Sequence, residues 1–259
     1  MDQVGQYNRN AWDHAHHTSL RQWTEPVSTD EVNEARDGII KIKLTPHKHV
    51  PQAWFPELRG KKVLCLAAGG GQQGPLLAAA GAEVTVLDNS PRQLAQDAFV
   101  AQRDRLTINT ELGDIRDLSR FSDQSFDVVL SLGAGHVEDL NTVWQQIGRI
   151  TKKNGTLLSG FTNPFEYIFD LKAWDEDKLV VRHTIPYADI HDLTADERQE
   201  LIVDKGEPFF FSNSLEDQIQ GQIAAGFVIV GFYEDHGGGP LDPYINTCFA
   251  TRAVKVSLP

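Results

Sequence analysis

Short apolar runs alternate with longer amphipathic segments through the middle of this 259-residue chain. Runs of strand-like composition lie at 62–67, 83–88, 106–111, 126–131 and 155–161. Segments with helical spacing separate them at 73–80, 91–103 and 139–151. Because parallel strands need a crossover connection, usually a helix, this alternation predicts a parallel sheet with helices on both faces.

The alternation stops after Phe161 and resumes at Ser214. Residues 163–213 predict a strand over 179–185 and a helix capped by Thr194, which has a glutamate three positions later. We interpret this stretch as an insertion after the fifth strand.

The carboxyl-terminal part departs from strict strand–helix repetition. A helix beginning at Ser214 with a capping box leads into a strand at 227–233, and a second strand follows at 246–256. A glycine-rich loop joins these two strands without a helix, so we expect them to be antiparallel. Residues 1–57 show helical segments and proline breaks but no strand series, and we interpret them as a cap.

The predicted fold is therefore α/β and Rossmann-like. It has a mostly parallel seven-stranded sheet with helices on both faces and an antiparallel strand at the carboxyl terminus. We expect one domain, with residues 58–162 and 214–259 as the core. The cap at 1–57 and the insertion at 163–213 are expected to shape the substrate pocket.

Composition limits the partners and the compartment. The formal net charge of −12, without a basic cluster, argues against a nucleic-acid partner, because a polyanion is repelled at long range. No run approaches the roughly 18 apolar residues of a membrane span, and the polar start lacks the apolar core of a signal peptide. Cys65 and Cys248 lie in apolar runs, which predicts two buried reduced thiols in a cytoplasmic protein. A small molecule is the expected partner, and the sequence leaves the oligomeric state open.

The densest chemical signal lies between residues 61 and 89. An apolar run ends at Gly69–Gly71, a helix follows, and a second apolar run ends at Asp88. Glycines admit a ligand close to the backbone, a helix start offers free N–H groups, and the carboxylate can accept both hydroxyls of a ribose. The segment predicts a nucleoside cofactor. A nicotinamide dinucleotide also fits these features, because Gly74 completes a literal G-x-G-x-x-G.

Later motifs favour a different cofactor. Gly113-Asp114-Ile115 follows the third strand, and Lys153-Asn154-Gly155 precedes the fifth. With the glycine segment, this order resembles the class I S-adenosylmethionine-dependent methyltransferases, although Ala67 replaces the first glycine of their first motif and Cys65 replaces its acid. Further pieces resemble a bacterial type-11 family without an assigned substrate: WTEPVS, TPHKHVPQAWFPEL, LAAGGGQQGP, SNSLEDQI and FATRA.

The resemblance implies S-adenosylmethionine as the cofactor and a set of contacts to it. Asp88 takes the ribose position, Asp114 and Ile115 the adenine position, and the turn after the fourth strand approaches the methionine part. The expected cofactor-binding residues are Ala67, Gly69, Gly71, Gln72, Asp88, Asn89, Asp114, Ile115, Leu132 and Gly133. On this alignment Gly74 is incidental to the turn.

His136 is the candidate catalytic residue. Methyl transfer from a sulfonium chiefly requires alignment and exclusion of water, so a general base is needed only when the nucleophile arrives protonated. His136 lies in the turn after the fourth strand and titrates near neutrality, which suits a base. The more common role for a histidine at such a position is to cap the next helix or to line the pocket without proton transfer.

The cap carries side chains with open roles. Its aromatic residues are expected to form a lid over the pocket, to pack the cap on the core, or both: Tyr7, Trp12, Trp23, Trp54 and Phe55. Four potential metal ligands lie close together, but no further ligand completes a set, so we expect no metal site: Asp13, His14, His16 and His17.

We therefore predict an S-adenosylmethionine-dependent methyltransferase that transfers a methyl group to an unidentified small-molecule acceptor by in-line displacement. One alternative is a cofactor-binding sensor or partner protein without turnover, which the missing acid and glycine of the first motif suggest. Another is a nicotinamide-dependent oxidoreductase, which explains the glycine segment but not the later motifs.

Overall fold

The computed structural model describes residues 2–15 and 19–256. Within these ranges the strands are, in chain order, β1 (Lys62–Leu66), β2 (Glu83–Asp88), β3 (Ile108–Leu112), β4 (Phe126–Ser131), β5 (Thr151–Thr162), β6 (Tyr187–Ala188), β7 (Phe211–Ser212), β8 (Phe227–Asp235) and β9 (Cys248–Lys255). The α-helices are α1 (Gln3–His14), α2 (Thr29–Arg36), α3 (Gln73–Ala79), α4 (Pro91–Asp104), α5 (Leu140–Ile150), α6 (Leu171–Trp174), α7 (Asp189–Asp192), α8 (Ala195–Arg198) and α9 (Leu215–Ala224). Short 3-10 turns lie at Ser19–Trp23, Gln52–Trp54, Ala134–His136 and Pro164–Ile168.

Seven strands form one sheet in the order β3-β2-β1-β4-β5-β9-β8. The strands β1 to β5 pair in parallel, whereas β9 runs antiparallel between β5 and β8. This confirms the predicted α/β fold and its antiparallel terminal strand. From β1 the chain proceeds outward to β2 and β3, then crosses back to β4 on the other side of β1. Ligands of open α/β folds bind in the crevice where the strand order reverses in this way.

Both faces of the sheet are covered by apolar side chains. Val63 and Cys65 of β1 belong to a core shared with Leu76 of α3. Leu64 of the same strand belongs to a second core, which contains Trp144 of α5. Successive strand residues point to opposite faces, so a strand buried on both faces needs a continuous apolar run, as β1 has.

Helix starts inferred from capping residues are confirmed. The Thr194 hydroxyl accepts a hydrogen bond from the Glu197 amide, and the Glu197 carboxylate accepts one from the Thr194 amide at 2.9 Å. Ser214 and Asp217 form the same reciprocal pair at the start of α9. Each box satisfies two N–H groups that a helix start otherwise leaves unpaired.

The predicted strand over 179–185 is wrong. This segment forms only one isolated bridge, between Phe169 and Val181. Val180 and Val181 are 51% and 67% exposed, so their side chains have no core to cover. High strand propensity without a face to bury did not produce a strand here.

The two cysteines are free and buried, as predicted. Burial raises the pKa of both thiols, that of Cys248 to about 12, so both stay protonated at neutral pH. Over the described part of the chain, every helix is too short or too polar to cross a bilayer.

Gly148 of α5 provides a test of how closely α5 packs on the end of α9. A Cβ at this position would lie 2.5 Å from the Ala225 carbonyl oxygen. Alanine gains about 1 kcal/mol in helix propensity, but overpacking typically costs about 1–3 kcal/mol. The contact is with a backbone atom, so the upper part of this cost, about 2–3 kcal/mol, applies, and Gly148→Ala should lower the free energy of unfolding by about 1–2 kcal/mol in urea denaturation.

The matched control is Gln145→Ala on the exposed face of α5, which should leave stability unchanged or slightly raised. An equal or higher unfolding free energy for Gly148→Ala would contradict this account of the contact.

Candidate active site

A cavity of about 590 Å³ opens at the carboxyl ends of β1, β2, β4 and β5. This volume lies within the range of small-molecule sites. The cap contributes Trp12 and Trp23 to its wall, and the insertion contributes Glu166 and Trp174. Core, cap and insertion therefore build one site together.

The loop after β1 has an unusual backbone. Ala67 has φ of 47°, a left-handed conformation that glycine adopts more readily than alanine, while Gly70 and Gly71 have φ of 107° and 73°. At Gly69 a Cβ would lie 2.8 Å from the Gln93 Cβ. The glycines therefore allow this loop to turn sharply and to lie close to the start of α4.

Asp88 lies where β2 ends and is held by two backbone amides. Its Oδ2 accepts a hydrogen bond from the Gly69 amide at 2.9 Å, and its Oδ1 accepts one from the Ser90 amide at 2.9 Å. Burial raises the pKa of this carboxyl group, and the two hydrogen bonds oppose the rise. The carboxylate is thus fixed in the cavity wall between two loops.

Three further predicted residues converge on the same wall. A Cβ at Gly133 would lie 2.5 Å from Ile115 Cδ1 and 2.8 Å from the Ala67 Cβ. Leu132 lines the cavity beside them. Glycine at position 133 is required because Ala67 and Ile115 already fill the space of a side chain.

Asn89 also lines the cavity, but its side chain binds the cap. Its amide donates to the Gly5 carbonyl at 2.9 Å, and its oxygen accepts from the Arg9 guanidinium at 3.1 Å. Asn89 thus holds α1 over the loop after β2.

Asp114 lines the cavity as well and forms an ion pair with Arg116, with Nη2 to Oδ2 at 2.6 Å. Arg116 also reaches Asp2 at 2.6 Å, and Asp2 caps α1 by accepting from the Gly5 amide. The hydrogen bond from Arg116 lowers the pKa of Asp2 to about 2. Asp114, Arg116 and Asp2 form a second attachment of α1, which we call the Arg116 latch.

Gly71 and Gln72 lie outside the cavity wall, unlike the other predicted cofactor-binding residues. The Gly71 carbonyl accepts from the Val27 amide, and the Gln72 side chain donates to the carbonyls of Gln22 and Glu25. Their placement supports a structural task, because both fasten the cap segment to the glycine loop.

Gly74, interpreted as incidental from the sequence, has a packing role. A Cβ there would lie 2.7 Å from Val86 Cγ2 and 3.0 Å from Asp97 Oδ1. This is the close helix–strand approach that the third glycine of such turns permits.

His136 is enclosed by aromatic rings and lines the cavity. Its ring lies 5.5 Å from Trp12 and 4.7 Å from Phe210, measured between centroids. Nδ1 lies 3.3 Å from the Phe209 carbonyl oxygen, so Nδ1 carries the proton in this contact and Nε2 holds the lone pair. Burial lowers its pKa to about 4, and the imidazole is neutral near pH 7.

Comparison with known proteins agrees with this geometry. A family profile described as a methyltransferase domain matches residues 64–159. The uncharacterized methyltransferase YbaJ of Bacillus subtilis (strain 168) is 50% identical over 257 residues, which cover 99% of this chain and 100% of that protein. The chain belongs to the methyltransferase family.

Solved structures share the fold of this methyltransferase. An S-adenosylmethionine-dependent methyltransferase from Mesorhizobium loti is 18% identical with a TM-score of 0.59, over 79% of this chain and 95% of that chain. One from Methanosarcina mazei is 16% identical with a TM-score of 0.56, over 80% and 96%. With the family membership, these likenesses confirm the class I methyltransferase resemblance seen in the sequence.

A buried carboxyl group, Asp97, lies near the glycine loop after β1. In the first motif of this methyltransferase, Cys65 replaces the acid that the motif usually has. Asp97 of α4 is fully buried, and neither of its oxygens accepts a hydrogen bond of regular geometry. Burial raises its pKa to about 8, although the nearby amides of Gly71 and Gly70 partly oppose the rise. Asp97 is therefore mostly protonated at neutral pH.

The cap side chains are divided between lid and packing. Trp12 and Trp23 line the cavity, whereas Tyr7 stacks on Phe209 with 4.4 Å between centroids. Trp54 packs on Tyr233 and Phe55 on the core cluster. Trp12 and Trp23 are thus placed at the cavity, and the other three pack the cap on the rest of the protein; the lid role stays a prediction.

The histidines of the cap have local roles where they are described. His14 Nδ1 bonds the Asn10 carbonyl, and Asp13 accepts from the Ser90 hydroxyl. His16 and His17 lie outside the described residues. The described ranges contain no group of three residues arranged to hold a metal ion.

Asp97→Asn should remove a pH-dependent loss of stability. The unfolded chain releases the Asp97 proton near the ordinary pKa of 3.8, whereas the folded chain keeps it to about 8. Between these values, rising pH stabilises the unfolded state, by up to about 1.4 kcal/mol per pH unit. Chemical denaturation from about pH 5 to about pH 8 should show the variant gaining stability relative to wild type.

Asp123→Asn, a change at an exposed loop carboxylate, serves as the control and should not produce this trend. Parallel stability curves for wild type and Asp97→Asn would exclude a raised pKa at Asp97.

Arg116→Ala should loosen α1, because it removes both ion pairs of the latch. Partly exposed pairs are worth up to about 1 kcal/mol each, so amide exchange over 3–14 should accelerate about 2- to 10-fold. Hydrogen-exchange mass spectrometry gives the measurement, with 62–66 of β1 as the internal reference.

The comparison variant is Arg120→Ala, whose guanidinium pairs with Glu111 outside the cap. Equal exchange of α1 in all three proteins would show that the latch does not hold the helix.

Proposed function

We propose that this methyltransferase binds S-adenosylmethionine in the cavity and transfers its methyl group to a small-molecule acceptor by in-line displacement. The observation that carries the proposal is the Asp88 carboxylate, which two amides fix in the cavity wall. None of the ion pairs among the described residues involves Asp88, so its remaining lone pairs are available to a pair of ribose hydroxyls.

The surroundings of Asp88 fit a nucleoside. A Cβ at Gly69 would lie 3.0 Å from Asp88 Oδ2, so glycine keeps the approach to the carboxylate open. Ala67, Ile115 and Leu132 add an apolar wall suited to an aromatic base. The solved methyltransferases of similar fold, which use S-adenosylmethionine, support this choice of cofactor.

S-adenosylmethionine supplies, when bound, a methyl group on a sulfonium, and its transfer leaves a neutral thioether that needs no acid. The protein must therefore align the reacting groups and exclude water. Trp12 and Trp23 of the cap and Trp174 of the insertion narrow the cavity for this purpose.

We infer that His136 takes up a proton when the acceptor arrives protonated. Its Nε2 is the basic nitrogen, because Nδ1 is committed to the Phe209 carbonyl. The lowered pKa keeps the ring neutral and ready to accept, but makes it a weak base. The transfer is thus coupled to methylation, when the nucleophile becomes more acidic.

Asp88→Ala should weaken binding of S-adenosylhomocysteine about 10- to 100-fold in calorimetry. The change removes hydrogen bonds to a charged acceptor, worth about 1.5–3 kcal/mol in total if the alanine site admits water. Thermal unfolding without ligand checks that the variant is folded.

Asp123→Asn, outside the cavity wall, should bind like wild type. Absence of binding by wild type at millimolar S-adenosylmethionine would overturn the proposal. Binding without demethylated product, in a broad screen of small molecules, would favour the sensor alternative.

A further inference from the structure

Among the described residues, one carboxyl group of the cavity wall has neither a hydrogen-bond partner nor an ion-pair partner. Glu166 lies in the 3-10 turn Pro164–Ile168, just beyond the carboxyl end of β5. Its Oε2 is buried and accepts no hydrogen bond from the described residues. Burial, together with the negative charge of Asp242, raises its pKa to about 7.

The charges near Glu166 do not compensate it. Its charged neighbour is another acid, Asp242, which already accepts hydrogen bonds from the amides of Gly237 and Gly238 and from the Thr247 hydroxyl. In the described ranges, no lysine, arginine or histidine forms an ion pair with Glu166. A buried carboxyl group without a cation is costly, and such groups concentrate at functional sites.

Aromatic side chains share the cavity with this carboxyl group. Tyr167 is its chain neighbour, and Phe161, Trp174 and Phe210 line the same cavity. A Cβ at Gly237 would lie 2.4 Å from Thr247 Oγ1 and 3.5 Å from Glu166 Oε2, so the glycine lets this loop pack closely beside the carboxyl group. The wall therefore combines a carboxyl group without a counter-charge with several aromatic side chains.

We propose that Glu166 selects the methyl acceptor, and that the acceptor is a small molecule with a cationic amine and an aromatic or apolar body. The ammonium group pairs with the Glu166 carboxylate and supplies the missing positive charge. The aromatic side chains bury the body and add cation–π attraction to the amine. This inference rests on the proposed function, because it assigns the acceptor part of the same cavity.

The test uses the full chain saturated with S-adenosylhomocysteine and three probes of similar size: phenethylamine, 2-phenylethanol and 3-phenylpropionate. Calorimetry should show phenethylamine binding at least about 10-fold more tightly than the neutral and anionic probes, as one desolvated charge pair provides. Glu166→Gln should reduce phenethylamine affinity at least about 10-fold and leave that of 2-phenylethanol unchanged.

Two further variants separate recognition from structure. Glu166→Asp keeps the charge and should retain a preference for the amine, whereas a purely structural role predicts no rescue by charge. Glu176→Gln removes an exposed carboxylate outside the cavity wall and should behave like wild type.

The outcomes distinguish this inference from the proposed function. Failure of wild type to bind S-adenosylhomocysteine would overturn the proposed function. If that complex forms, lack of amine preference, or a preference that survives Glu166→Gln, overturns the role of Glu166 alone.

Discussion

The hydrogen bond from the Gly69 amide to the Asp88 carboxylate joins the loops after β1 and β2, and the rest of the site is arranged around it. The Asp88 carbonyl also accepts from the Gly113 amide at 3.0 Å, which brings the loop after β3 to the same point. Three parallel strands therefore end in loops that share one residue. The glycine turn allows the loop after β1 to reach Asp88. Gly133 allows the loop after β4 to pack against Ala67 and Ile115 beside these loops.

The site and its surroundings bring carboxyl groups close together in a chain that is already acidic. The charge of Asp88 raises the pKa of buried Asp97, although burial is the larger cause. Glu166, in the wall of the same cavity, and Asp242 form a second pair of this kind. Folding alone gains nothing from such pairs, since burying an uncompensated carboxyl group opposes it. The pair that includes Glu166 lines the cavity, where the positively charged acceptor proposed above would relieve the repulsion on binding.

The sequence predicted the sheet, because continuous apolar runs and capping residues report burial and local hydrogen bonding directly. Gly69 and Asp88 were predictable for the same reason, as their chemistry is tied to strand ends. The predicted strand at 179–185 was wrong because strand propensity does not reveal whether a neighbouring surface is available to bury the side chains. Arg116, Asp97 and Glu166 carry no local signal: their importance comes from partners, or missing partners, that are distant in sequence. Gly71 and Gln72 lie next to the cavity-lining residues Ala67 and Gly69 in the sequence. They are turned toward the cap instead, and nothing in the sequence indicates these contacts.

The attachment of α1 at Asn89 and Arg116 has a consequence for the timing of the reaction. Asp2, Gly5 and Trp12 of this region line the cavity, so under the proposed function a bound cofactor would lie beside this helix. Release of the spent cofactor would then be coupled to undocking of α1, and a slow undocking step would limit turnover independently of the methyl-transfer barrier. Strengthening the helix attachment would lengthen the residence time of both substrate and product.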